Sequence, residues 1–119
     1  MVKKAVALIK SEGADKAYAA FDDKANADFH YKDLYVLVYG LDGKCLAHGA
    51  NPKLIGKDLS DAQDADGTYY VKDRVKLAQS QANFWQDYKF PNPETHKIEA
   101  KTTYCEKLDN TAVCGGVYK

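Results

Sequence analysis

Cysteine, histidine and one strand lysine are the residues of this chain whose types and spacing could do chemistry. Cys105 and Cys114 flank Lys107-Leu108-Asp109-Asn110-Thr111. Asp109-Asn110 suits a tight two-residue turn, because both residue types tolerate positive φ. Centring the turn there sets Leu108 opposite Thr111. Counting back along both strands then sets Cys105 opposite Cys114 as a non-hydrogen-bonded pair, close enough for a disulfide. The same count puts Lys101 on the face of Cys105, Cys114 and Tyr118, and Tyr104 on the other face with Ile98, Val113 and Val117. An ammonium on the first face could hold a small anion, whereas Tyr104 reads as packing. Cys45 is left over and reads as a small buried hydrophobe.

Other chemistries find little support. His30, His48 and His96 fall in separate segments without metal-ligand spacing. There is no Cys-x-x-Cys, no Cys-x-x-Cys-His and no Gly-x-Ser-x-Gly, so no metal, haem or other cofactor and no enzymatic activity is expected. Asp64-Ala65-Asp66-Gly67 resembles part of a calcium loop, but the first ligand position would be Ala62 and the last Asp73. These aspartates read instead as helix caps and turn formers. Lys+Arg and Asp+Glu balance at 17 each, leaving no basic excess for nucleic acid. The 119 residues, 45% hydrophobic, suit one globular domain over 1–119. No apolar run is long enough to span a bilayer. A disulfide implies an oxidising compartment, periplasmic or extracellular, and hence an export signal in the precursor.

These residues need elements to position them. Val2, Val6, Ile9, Gly13, Ala17 and Ala20 recur at helical spacing, with Gly13 ending one helix before a second begins at Ala14. Leu34-Tyr35-Val36-Leu37-Val38-Tyr39 reads as a strand, Asp42-Gly43 as a turn, and Cys45-Leu46-Ala47-His48 as the returning strand. Pairing around Asp42-Gly43 sets Tyr39 opposite Leu46 and Leu37 opposite His48. One face then carries Val36, Val38, Cys45 and Ala47, a seat for the N-terminal helix. The other carries Tyr35, Leu37, Tyr39, Leu46 and His48, an aromatic and polar mixture that suits a pocket. Residues 49–67 are irregular, and Asp66 or Thr68 starts a helix through Tyr70, Val71, Val75 and Ala78. Strands at 83–90, 97–105 and 111–118 complete an α+β arrangement of helices on an antiparallel sheet.

The ordered set of motifs resembles the single Cache domain family, type 2, over nearly the whole chain. The residues that carry the resemblance are the hairpin from Tyr35 to Gly49, Asn51-Pro52-Lys53-Leu54-Ile55-Gly56-Lys57-Asp58-Leu59, Asp66-Gly67, Trp85-x-Asp87-Tyr88, Asn92-Pro93, Lys101-x-x-Tyr104 and Gly116-Val117-Tyr118. The resemblance implies a PAS-like five-stranded antiparallel sheet. A long N-terminal helix would lie on one face, and a ligand pocket on the other, under the long loop and the central helix. It also implies an extracytoplasmic sensor of small molecules, commonly short carboxylates. Such a domain works with a membrane-bound receptor or kinase or stands alone in the periplasm, and receptor relatives suggest a homodimer through the N-terminal helix.

Within that frame His48, in Ala47-His48-Gly49, faces the pocket and can donate a hydrogen bond to a carboxylate. Lys101 supplies the charge. Tyr39 borders the cavity or packs as core, and Trp85 and Tyr88, flanking a bulge-prone strand, have the same two readings. The rival reading is a module that acts through protein contacts alone, and a filled, solvent-free cavity face would favour it.

Overall fold

The computed structural model describes residues 1–118. Two helices open the chain: α1 (Val2–Glu12) and α2 (Ala14–Asp22). Gly13 joins them at φ 89°, a left-handed conformation that glycine adopts without steric cost. The long helix implied by the resemblance is therefore two short ones. Six strands follow: β1 (His30–Tyr31), β2 (Leu34–Gly40), β3 (Cys45–His48), β4 (Asn83–Pro91), β5 (Ile98–Leu108) and β6 (Thr111–Tyr118), with α3 (Tyr70–Ser80) between β3 and β4. All pair antiparallel in the order β1-β2-β6-β5-β4, with β3 also on β2. The two-residue β1 adds to the five expected strands.

Alternation sorts the buried side chains into two cores. On one side of the sheet Val36, Val38, Ala47 and Val113 meet Val2, Ala5, Ala17 and Phe21 of α1 and α2. On the other, Tyr35, Leu37, Tyr39, Tyr88, Cys105 and Cys114 meet Tyr70, Val71 and Ala78 of α3. Burying both faces of the sheet under helices supplies the apolar contact that holds the layers together.

The β5–β6 hairpin has the expected register. Leu108 pairs with Thr111 and Cys105 with Cys114, Asp109 takes φ 54°, and the two sulfurs are bonded across a Cα separation of 4.1 Å.

The β2–β3 hairpin departs from expectation. Gly43 adopts φ 89° and closes a three-residue loop, with Gly40 and Lys44 as the flanking hydrogen-bonded pair. Glycine in the left-handed region after a tight turn is the setting of a β-bulge. Tyr39 consequently pairs with Cys45, not Leu46, and a second irregularity between Val38 and Tyr39 leaves Leu46 as the extra residue and restores the register. Cys45 joins the α3-side core, and Leu46 packs on the α1 side. The pairing of Leu37 with His48 is unaffected.

Residues 49–69 lie across the pocket side. Backbone bonds between Cys45 and both Gly56 and Lys57 cover the free edge of β3. Asp64 organises the approach to α3. Its carboxylate accepts the backbone N–H groups of Asp66, Thr68 and Lys89, tying the loop to β4. Asp66 and Thr68 do not cap the helix, which starts at Tyr70 with Tyr69 as its N-cap residue.

Candidate functional site

Lys101 sits at the centre of the α3 side of the sheet, paired with Tyr88 on β4 and Tyr118 on β6. It is 1% exposed. Its ammonium donates to the Tyr35 hydroxyl at 3.0 Å and lies over four rings, with centroid distances of 4.3 Å for Tyr35, 5.3 Å for Tyr118, 5.4 Å for Phe90 and 5.8 Å for Tyr88. Aromatic faces attract a cation, most strongly where water is excluded. Tyr118 donates to the Pro91 carbonyl at 2.8 Å, so Tyr35 donates to Tyr118 across their 3.2 Å contact, and the chain runs outward from Lys101. Gly116 makes the placement sterically feasible. A Cβ there would stand 2.8 Å from Lys101 Cε and 2.5 Å from Thr103 Oγ1.

Arg74 reaches the same place from α3. It too is 1% exposed, on a helix face it shares with Tyr70, Val71 and Ala78. Nε donates to Gln86 Oε1 and Nη2 to the Tyr88 hydroxyl, both at 2.9 Å. Gln86 is fixed in turn by donating to the Tyr70 carbonyl at 3.0 Å. The guanidinium lies 5.0 Å from the Tyr39 ring centroid and 5.4 Å from that of Tyr88.

His48 completes the cluster from β3. Its Nδ1 accepts the backbone N–H of Asn51 at 2.9 Å and of Ala50 at 3.3 Å, which leaves the ring proton on Nε2. Burial first, then the charges of Lys101, Arg74 and Lys24, push its pKa down to about 3. It is therefore a neutral donor at physiological pH.

Two buried cations share this pocket, and no carboxylate pairs with either among the described residues. The ion pairs found there, Lys3–Glu106, Lys4–Asp28, Lys72–Asp61 and Lys89–Asp66, lie on the surface. Burying a charge costs several kcal/mol, so two buried cations with no carboxylate in an ion pair with them are not an ordinary way to fill a core. Burial pushes the Lys101 pKa below the lysine range and Arg74 adds to this, although Tyr88 opposes it. The lining side chains close on one another. They leave no space between them wide enough for a water molecule.

Of the residues singled out from the sequence, Tyr39, His48, Tyr88 and Lys101 converge here. Trp85 does not. The β4–β5 ladder runs from Asn83 to Pro91 without a bulge. Trp85 and Tyr88, three residues apart, therefore point to opposite faces. Trp85 is 64% exposed and packs on Tyr104 at 5.0 Å, in a groove of about 340 Å³ beside the start of α1. Arg74, Tyr70, Gln86 and Phe90 were not singled out, and Tyr35 was placed on the pocket face without a role there. Arg74 carried a usable signal, being the sole arginine of the chain and sitting at helical spacing from Tyr70, Val71 and Ala78. Among the described residues no group of side chains is arranged to hold a metal ion, and no helix is long and apolar enough to cross a membrane.

Similar proteins share this architecture. A solved Cache chemosensory domain, described in terms of carboxylic acid recognition, superposes with a TM-score of 0.82, covering 98% of this chain and 87% of that one at 22% identity. The periplasmic sensor domain of a chemotaxis protein gives a TM-score of 0.78, covering 98% and 84% at 23% identity. In sequence, the methyl-accepting chemotaxis protein McpP of Pseudomonas putida is 36% identical over 74 residues. That stretch is 62% of this chain and 14% of the receptor, so the match spans a small part of the receptor's length. The family model described as Single Cache domain 2 matches residues 4–117. The chain therefore belongs to the Single Cache domain 2 family and is a sensor domain related to those of chemotaxis receptors.

Proposed function

We propose that this domain senses a small carboxylate outside the cytoplasm, and that Lys101, Arg74 and His48 hold the anion. The observation that carries this reading is the pair of cations, each 1% exposed, with no carboxylate in an ion pair with either among the described residues. Lys101 and Arg74 carry more N–H groups than their internal bonds use, and the neutral His48 offers Nε2–H. A carboxylate between them would receive charge-assisted hydrogen bonds in a dry site, where these are strongest. Tyr39, Tyr88 and Phe90 would face its carbon skeleton. The lining side chains leave no space wide enough for a water molecule, so a ligand must displace them, and a small acid does so with the least rearrangement. Carboxylic acid recognition is described for the superposing Cache domain. Amino acids are disfavoured, because among the described residues no acidic side chain lines the pocket to receive an ammonium group.

Binding would require α3 and residues 49–69 to part from the sheet and close again. In a membrane-bound receptor or kinase, or with a separate receptor as partner, that closure would bias α1 and α2 relative to the sheet. The bias is limited to the ligand's difference in affinity between the two arrangements. The disulfide and the periplasmic relative support an oxidising, extracytoplasmic setting. A homodimer through the N-terminal helices belongs to the same proposal.

The tightly packed pocket favours a second reading, a module that acts through protein contacts without a small ligand. Thermal unfolding against acetate, propionate, lactate, pyruvate and glycine separates the two. The sensor reading expects the acids, but not glycine, to raise the midpoint with concentration, and expects the effect to vanish in Lys101→Met and Arg74→Met. No shift with any acid would favour the interaction module.

A further inference from the structure

Tyr88 stands between the two buried cations. It pairs with Lys101 across β4 and β5. Its oxygen receives hydrogen bonds from Arg74 Nη2 at 2.9 Å and Thr103 Oγ1 at 3.1 Å. Hydrogen bonds received by an oxygen favour its ionised form, and a neighbouring cation does the same.

The other titratable groups facing this centre behave differently. On β2, Tyr35 and Tyr39 are raised above the ordinary tyrosine range by burial, as are Tyr118 on β6 and Tyr70, which stacks on Tyr88 at 5.0 Å from α3. On β3, burial pushes the Cys45 thiol up to about 11 and keeps His48 neutral. Tyr88 alone among these phenols is lowered. Burial works to raise it, but the charges of Arg74 and Lys101, with the bonds from Thr103 and Arg74, outweigh that effect.

We propose that Tyr88 is the internal counter-ion of the pocket, so that carboxylate binding is coupled to uptake of one proton by its phenolate. The inference rests on the carboxylate reading above and adds its regulation by pH. Above the pH at which it titrates, Tyr88 is a phenolate and offsets one of the two cationic charges. An incoming carboxylate brings a second negative charge to the same cations, and two adjacent anions repel. The phenolate then takes a proton from the buffer and its O–H can donate to the carboxylate, while no covalent bond other than O–H changes. The pKa of Tyr88 is thus higher with the anion bound than without it. Between the two values binding consumes a proton. Affinity is constant below the lower value and falls as pH rises through it, by up to about tenfold per pH unit.

Two measurements test this on the intact protein. In the first, tyrosinate absorbance is followed against pH, with and without acetate. One of the nine tyrosines should ionise below the ordinary range, shift upward with acetate and be missing in Tyr88→Phe. In the second, acetate binding is measured by calorimetry at one alkaline pH in buffers of different ionisation enthalpy. The heat should vary with the buffer in the sense of proton uptake, and this needs no variant. Acetate binding that is independent of buffer and pH would overturn the coupling and leave the carboxylate reading standing. Absence of an early-titrating tyrosine would also overturn it. Absence of binding by acetate, propionate, lactate and pyruvate alike would overturn both.

Discussion

Replacing Lys101 by methionine should stabilise the fold while abolishing its response to carboxylates. Methionine keeps the unbranched apolar stem and fills the same volume, so packing changes little. The variant loses the ammonium bond to Tyr35, worth about 1.5–3 kcal/mol for a charged donor. It also loses the ring contacts at 4.3 to 5.8 Å, worth roughly 2 kcal/mol where water is excluded. Tyr35 keeps its bond to Tyr118, so no polar group is orphaned. Below the pH at which Tyr88 ionises, where it offers no opposing charge, the desolvation of a buried ammonium stands against these losses, about 5 kcal/mol or more after relaxation, together with repulsion from Arg74. The balance favours the variant by about 1–2 kcal/mol, or roughly 3–8 °C in Tm for a domain of this size. Thermal and urea unfolding of the two proteins, without acid and then with acetate, would measure it. Destabilisation by about 2 kcal/mol or more would refute the reasoning, because the ammonium would then be a net structural asset and its burial would no longer point to a ligand.

Three further outcomes are expected. Gly116→Ala should destabilise by roughly 1–3 kcal/mol and weaken acetate binding, because its Cβ would press on Thr103 Oγ1 and Lys101 Cε. Gly115→Ala, whose nearest neighbour would be Val2 Cγ2 at 3.2 Å, should be milder and leave binding intact, as thermal shift would report. Cys105→Ser with Cys114→Ser opens a loop of sequence separation 9 and should cost about 2.5 kcal/mol, read from urea midpoints. His48 is held near 3 in the fold against 6.5 ordinarily. The unfolded chain therefore binds a proton that the native state refuses, and stability is lost as pH falls through that window. Between about pH 7 and about pH 4.5 the loss should be about 2–3 kcal/mol, and His48→Gln should flatten that slope in urea unfolding.

Counting along regular strands made part of this legible before the structure. The Asp109-Asn110 turn fixes the β5–β6 register, and the register fixes which face Lys101 and the cysteines share. The same counting failed where the backbone was misjudged. Reading β4 as bulge-prone left Trp85 and Tyr88 with the same two readings, cavity wall or core, but the ladder is regular and alternation separates them. In the first hairpin the error ran the other way. Gly43 at φ 89° inserts a bulge that a two-residue turn does not have, and Cys45 and Leu46 exchange faces. Arg74 was missed for a different reason. A strand pair fixes its neighbours by local geometry, whereas the docking of α3 over Gln86 and Tyr88 is a tertiary event. Apolar periodicity locates the buried stripe of a helix but does not say which charged residue on it will be drawn inside.

A crystal structure of the protein with acetate would test the central claim most directly. The account predicts the carboxylate between the Arg74 guanidinium, the Lys101 ammonium and His48 Nε2, with α3 and residues 49–69 closed over it. Acetate found elsewhere, or a pocket still filled by its own side chains at a concentration that saturates binding in solution, would contradict it.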